Sequence, residues 1–164
     1  MPERCYRPSN AGGEFMSRAL YGSCLCGSLK YQISGELFMA AYCHCSMCRK
    51  SHGSAFRPRA LLWSKDFQWL QSRECLADYA SSPGVHRMFC SKCGSPLIAY
   101  SNQYPTIFNL ALGTLDDDPG IRPEAHWHVA SKASWFEITD DLPQYPGFPP
   151  LPPESLPSSS TPST

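Results

Sequence analysis

The stretch Ala41-Tyr-Cys-His-Cys-Ser-Met-Cys-Arg-Lys50 packs Cys43, Cys45 and Cys48 into six residues, which restricts how the surrounding chain can fold. Thiols at i and i+2 of an extended chain point to one side, and a third thiol three residues on swings back through a turn. All three then reach one metal ion, and the stretch reads as a three-thiolate zinc site. Two further pairs, Cys24-Leu-Cys26 and Cys90-Ser-Lys-Cys93, each sit in a turn beside a strand-like run. Structural zinc commonly joins two such turns, so Cys24, Cys26, Cys90 and Cys93 read as a closed four-thiolate site. Close C-x-C and C-x-x-C pairs in a chain without a leader favour reduced thiols on metal over disulfides. Cys75, in an apolar run, reads as a small core residue. Cys5 lies in a segment with no hydrophobic period and is not expected to bind metal.

The rest of the chain fits one β-rich domain. Its 164 residues suffice for a single core of about 130 residues, with both ends outside it. Residues 1–18 read as a disordered or artificial extension, since Glu14-Phe15-Met16 resembles a cloning-site junction. Residues 19–141 form the zinc-binding domain, and 142–164 a Pro/Ser-rich tail with too few apolar anchors to fold. Within the domain, Leu29, Tyr31 and Ile33 alternate with polar residues as a half-buried strand. Leu37–Tyr42 reads as its return strand. A short helical turn follows Cys48 and stops at Gly53. Short strand-like runs continue through Ser54–Trp63, Phe67–Leu70, Leu76–Tyr79, Val85–Phe89, Leu97–Tyr100 and Ile107–Leu112, with Trp135–Ile138 closing the domain. His126 and His128 alternate, which places both imidazoles on one face. The tryptophans Trp63, Trp69, Trp127 and Trp135 read as core.

The formal net charge of zero leaves no basic excess to neutralise phosphates, which argues against nucleic acid as a partner. No apolar run reaches the 18 or so residues of a membrane span, and no signal-type core opens the chain. A cytoplasmic, zinc-dependent protein acting on small molecules is expected.

With these elements in place, the chain resembles the family of glutathione-dependent formaldehyde-activating enzymes and centromere-protein-V-like proteins. The resemblance rests on Gly22-Ser-Cys-Leu-Cys-Gly27, on Cys43-His-Cys-Ser-Met-Cys-Arg-Lys50 with Gly53-Ser-Ala-Phe56, on Phe89-Cys-Ser-Lys-Cys-Gly-Ser-Pro-Leu97 and on Ser131-Lys-Ala-Ser-Trp-Phe-Glu-Ile138. It implies a mainly β fold, a tent-like arrangement of short antiparallel sheets stapled by zinc in a single domain. It implies two zinc ions per chain, a closed one on Cys24, Cys26, Cys90 and Cys93 and an open one on Cys43, Cys45 and Cys48. The implied activity is that of a carbon-sulfur lyase joining glutathione to formaldehyde. One departure from the family pattern is His126-Trp127-His128, where an aliphatic or aromatic residue is expected in place of at least one imidazole.

Four thiolates leave zinc no vacancy, whereas three leave one position free. An anionic three-thiolate site is poorly suited to activating water but well suited to holding an incoming thiol as thiolate, beside which an aldehyde carbon is attacked. Cys43, Cys45 and Cys48 therefore carry the expected catalysis. His44, His52, His126 and His128 are the candidate proton carriers, although His126 and His128 read first as hydrogen-bonded structural imidazoles. Arg57, Arg59 and Arg87 are candidate receivers of the thiol's carboxylates, weighed against solvated rim positions. The alternative function is a non-catalytic zinc-scaffolded binding module, in which a nearby histidine or Cys75 closes the second site.

Overall fold

The computed structural model describes residues 18–149. The expectations for the leader with Cys5 and for the end of the Pro/Ser-rich tail lie outside these residues. In chain order the elements are β1 (Leu20–Ser23), β2 (Lys30–Ile33), β3 (Phe38–Cys43), α1 (Ser46–His52), β4 (Arg57–Trp63), β5 (Phe67–Trp69), β6 (Leu76–Ser82), β7 (Val85–Cys90), β8 (Pro96–Ser101), β9 (Tyr104–Ala111), β10 (His126–Trp127) and β11 (Gln144–Tyr145). They build a three-stranded sheet ordered β1-β2-β5 and an eight-stranded sheet ordered β11-β10-β3-β4-β9-β8-β7-β6. The mainly β, single-domain expectation holds, with α1 the one α-helix among the described residues.

The core lies between the two sheets. Alternation in β2 buries Leu29, Tyr31 and Ile33 to 1 % exposure or less, and these pack on Leu62, Ile98 and Leu110 of the large sheet. Phe67 and Trp69 of β5 close the cluster, with Tyr31 stacked on Phe67 at 5.0 Å. Gly22 in β1 sits directly against the Tyr31 ring and the Thr114 carbonyl, where any side chain would collide. Cys75 lies in the turn before β6 and packs, half-buried, on this core, as the sequence suggests.

Several local expectations are corrected. The run read as the return strand of β2 instead leaves the small sheet: β3 pairs antiparallel with β4, while β2 is flanked by β1 and β5. A bulge between Phe38 and Ala41, with Met39 at φ 51°, lets three steps of β3 oppose two of β4. That extra residue reverses the alternation, so Ala41 and Cys43, not Tyr42, face the same side as Arg59 and Arg57. Pro58 is tolerated in β4 because pairing with β9 begins only at Arg59.

Trp135–Ile138 is a turn and loop, not a strand. The Lys132 ammonium holds the Ala133 and Phe136 carbonyls, which a strand would have to present to a neighbour. Trp135 is consequently 72 % exposed and outside the core, whereas Trp127 is buried. The domain boundary read at Asp141 falls inside the large sheet, because Gln144 and Tyr145 pair in parallel with His126 and Trp127. β10 also runs parallel to β3, so this edge departs from an all-antiparallel arrangement.

Candidate metal centre and adjoining cleft

The first cysteine cluster joins the sheets. Cys24 and Cys26 lie in the β1–β2 turn and Cys90 and Cys93 in the β7–β8 turn, with all four sulfurs within 4.8 Å of one another. The turns are built alike: Gly27 N–H donates to Cys24 O at 2.9 Å, and Gly94 N–H to Cys90 O at 2.8 Å. Sulfur separations of 3.6 Å for Cys24–Cys26 and 3.8 Å for Cys26–Cys90 match the edge of about 3.8 Å set by tetrahedral Zn–S bonds. The Ser95 hydroxyl and backbone hold the Cys93 thiol down, to about 5, and Ser28 lowers that of Cys26. These donors favour thiolates, so the cluster is able to hold a metal ion.

The second cluster lies on the other face of the large sheet. Cys43 ends β3, Cys45 caps α1 by accepting the Cys48 N–H at 3.3 Å, and Cys48 points inward from the first turn of that helix. Their three sulfurs also lie within 4.8 Å of one another, and among the described residues no fourth Cys, His, Asp or Glu ligand atom joins them. The closed alternative therefore lacks its ligand: among the described residues neither Cys75 nor any of the five histidines enters the cluster. Cys43 is pushed up by hydrogen bonds to Cys45 and Cys48 and by burial, whereas Cys48 is pulled down by both neighbours and then by Arg57 and Arg87.

Arg57 and Arg59 are not rim residues. Each is 2 % exposed, on the thiol side of β4, with Arg57 directly opposite Cys43. Asn109 of β9 holds both, its carbonyl accepting from Arg57 Nη2 at 2.7 Å and its side-chain oxygen from Arg59 Nε at 3.1 Å. Arg59 also lies 4.2 Å from the Trp127 ring centroid. No carboxylate pairs with Arg57, Arg59 or Arg87 among the described residues. Two buried cations without carboxylates require negative charge nearby, and the thiol cluster provides it. The Arg-x-Arg alternation was visible in the sequence, but its facing toward Cys43 was not.

A cleft of about 530 Å³ opens between α1 and strands β6–β8, beside the cluster. Lys50, His52, Arg57 and Arg87 line it, and among the described residues no acidic side chain does. Its volume lies in the range usual for small-molecule sites. His52 follows Cys48 by one helical turn, and burial, then Arg57, push it down to about 4.

The four candidate histidines separate. His44 and His126 are buried behind the cysteine stretch, hydrogen-bonded to each other at 2.8 Å, and His126 also reaches Asp140. His126 is thus a hydrogen-bonded structural imidazole. His128 does not share its face: φ of 59° ends β10 after Trp127 and turns the ring onto Phe148, with centroids 4.4 Å apart. Asp140 was not singled out in the sequence, where nothing distinguishes it from its neighbour Asp141.

With this geometry in view, the model of the family described as "glutathione-dependent formaldehyde-activating enzyme" matches residues 19–131. The chain belongs to this family. A Halomonas elongata protein that carries the family's name is 30 % identical over 127 residues, covering 73 % of this chain and 80 % of the relative. A Schizosaccharomyces pombe protein named as an uncharacterized lyase is 32 % identical over 82 residues, 49 % of this chain and 58 % of its own length. A Rhodobacter sphaeroides crystal structure superposes with a TM-score of 0.49 at 24 % identity, over 63 % of this chain and 91 % of that one. Among the described residues of this family member, no helix is long and apolar enough to cross a membrane.

Proposed function

We propose that the chain is a zinc-dependent carbon-sulfur lyase that catalyses reversible addition of a glutathione-like thiol to formaldehyde or another small aldehyde. The observation that carries this reading is the inequality of the two clusters: four sulfurs in one, three sulfurs beside a basic cleft in the other. The family and the names of its relatives support the substrates. Cys24, Cys26, Cys90 and Cys93 would hold one zinc as a staple; Cys43, Cys45 and Cys48 would hold the other. Bound there, zinc supplies a free coordination position and lowers the pKa of an arriving thiol.

The protein groups complete the reaction. The sulfur–carbon bond forms as the carbonyl π pair moves to oxygen, and the thiol proton ends on that oxygen. His52 lines the cleft one helical turn after Cys48, and this position makes it the candidate carrier of the thiol proton to the alkoxide. Arg57 balances the negative charge beside Cys48. Lys50 and Arg87 line the cleft, have no carboxylate partner among the described residues, and would seat the carboxylates of a tripeptide thiol. The test is isotope-exchange spectroscopy on glutathione and formaldehyde. The protein should accelerate exchange and Cys48→Ser should not; absence of acceleration with every thiol and aldehyde tried sinks the reading.

A further inference from the structure

Behind the three-cysteine stretch a hydrogen-bonded chain runs from the surface into the fold. His44, wholly buried between Cys43 and Cys45 in sequence, places Nε2 2.8 Å from His126 Nδ1. His126 Nε2 lies 3.0 and 3.1 Å from the two oxygens of Asp140. The proton inventory gives this chain one direction when both rings are neutral. A carboxylate only accepts, so His126 Nε2–H donates to Asp140 and its Nδ1 accepts from His44 Nε2–H. Phe56 and Phe136 pack on the His44 ring, and Tyr42 stacks on His126 at 5.1 Å. His44 Nδ1 is buried and has no partner among the described residues, a cost that the rest of this arrangement must offset.

Asp140 belongs to a strap beyond the family-matched region, which ends at residue 131. The strap crosses β10: His126 N–H donates to Pro143 O, His128 N–H to Gly147 O, and Gln144–Tyr145 pair with His126–Trp127. On its inner side, His44 N–H donates to Trp127 O and Tyr42 N–H to Ala125 O. Because side chains alternate along an extended segment, holding the His44 ring on one face fixes Cys43 and Cys45 toward the other.

We propose that Asp140 is a positioning residue for the three-cysteine centre: its carboxylate, acting through His126 and His44, holds Cys43 and Cys45 in the orientation that retains the metal. This rests on reading Cys43, Cys45 and Cys48 as a metal centre. Supporting groups of this kind typically change metal affinity by about 10- to 100-fold when removed. Asp140 lies at the surface end of this chain, with a 46 % exposed side chain whose Oδ1 also accepts the Leu142 N–H at 3.0 Å.

The experiment is zinc transfer from the full-length, zinc-loaded chain to a chromophoric chelator, with the four-cysteine site as internal control. Asp140→Ala should speed release from the three-cysteine centre about 10-fold or more while the four-cysteine phase stays unchanged. Asp140→Asn, whose amide oxygen still accepts the His126 proton, should restore most of the retention. Equal acceleration of both phases, no acceleration of either, or an Asn variant as leaky as Ala overturns the proposal. Should the unmodified chain hold one zinc, and Cys48→Ser hold the same one, the metal-centre reading itself fails, and the assignment of Asp140 with it.

Discussion

At the scale of single residues, the two clusters differ in what their loss should do. Cys48 contributes to a centre placed beside a cleft, so Cys48→Ser should lower bound zinc from about two ions to about one while the chain stays folded. Metal analysis with circular dichroism checks this, and a variant that unfolds would make this centre structural. Arg87 lines the cleft, and its proposed role is toward the substrate rather than the metal. Arg87→Gln should raise KM for glutathione about 10-fold, the value of a lost charge-assisted hydrogen bond, and leave kcat and the KM for an uncharged thiol unchanged. His52 leaves a pH signature. Its folded pKa of about 4 lies below the ordinary value of about 6.5, so between these values the unfolded chain binds more protons. Stability therefore rises with pH across that window, by at most about 1.4 kcal/mol per pH unit for this group. Urea denaturation from pH 4 to 6.5 should give a shallower slope for His52→Gln than for the unmodified chain.

At the scale of elements, α1 and the bulge of β3 aim the thiols. The helix begins on the Cys45 sulfur and ends at Gly53, whose φ of 58° lets its N–H cap Arg49 O. A side chain at that left-handed position costs about 1 kcal/mol, so Gly53→Ala should lower Tm by several degrees by calorimetry, without altering zinc content. The bulge acts differently, since one residue more or fewer there flips every later side chain of β3 to the other face. Had the strand run without it, Tyr42 would face Arg57, and Cys43 would face the aromatic cluster around His44.

For the whole molecule, the four-cysteine cluster is the only described metal-capable group that bridges the two sheets. Structural zinc binding is worth about 10–16 kcal/mol, comparable to or larger than the total stability of a domain this size. Stepwise chelation should therefore remove the three-cysteine metal first with the near-ultraviolet dichroism retained, and the loss of the second ion should unfold the chain. Unfolding on loss of the first ion would reverse the assignment of the two sites. The two clusters are also separated across the large sheet: one face packs the core and the four-cysteine cluster, the other carries Arg57, Arg59, the three thiols and the cleft.

Local spacing was enough to read both cysteine sets, the turn pairs, the stop at Gly53 and most strands, because ligand geometry and turn chemistry act over a few residues. The surroundings of the thiols needed the tertiary structure. Arg57 reaches Cys43 only through the pairing of β3 with β4, and the bulge that sets this facing breaks the two-residue period on which a sequence reading depends. His126 and His128 parted for the same reason, at a left-handed residue in an apparent strand. Asp140 reaches His44 only through His126, whose hydrogen bond to His44 joins residues 82 apart in the chain. Such contacts are chosen by global packing and leave no periodic trace in the residues that make them.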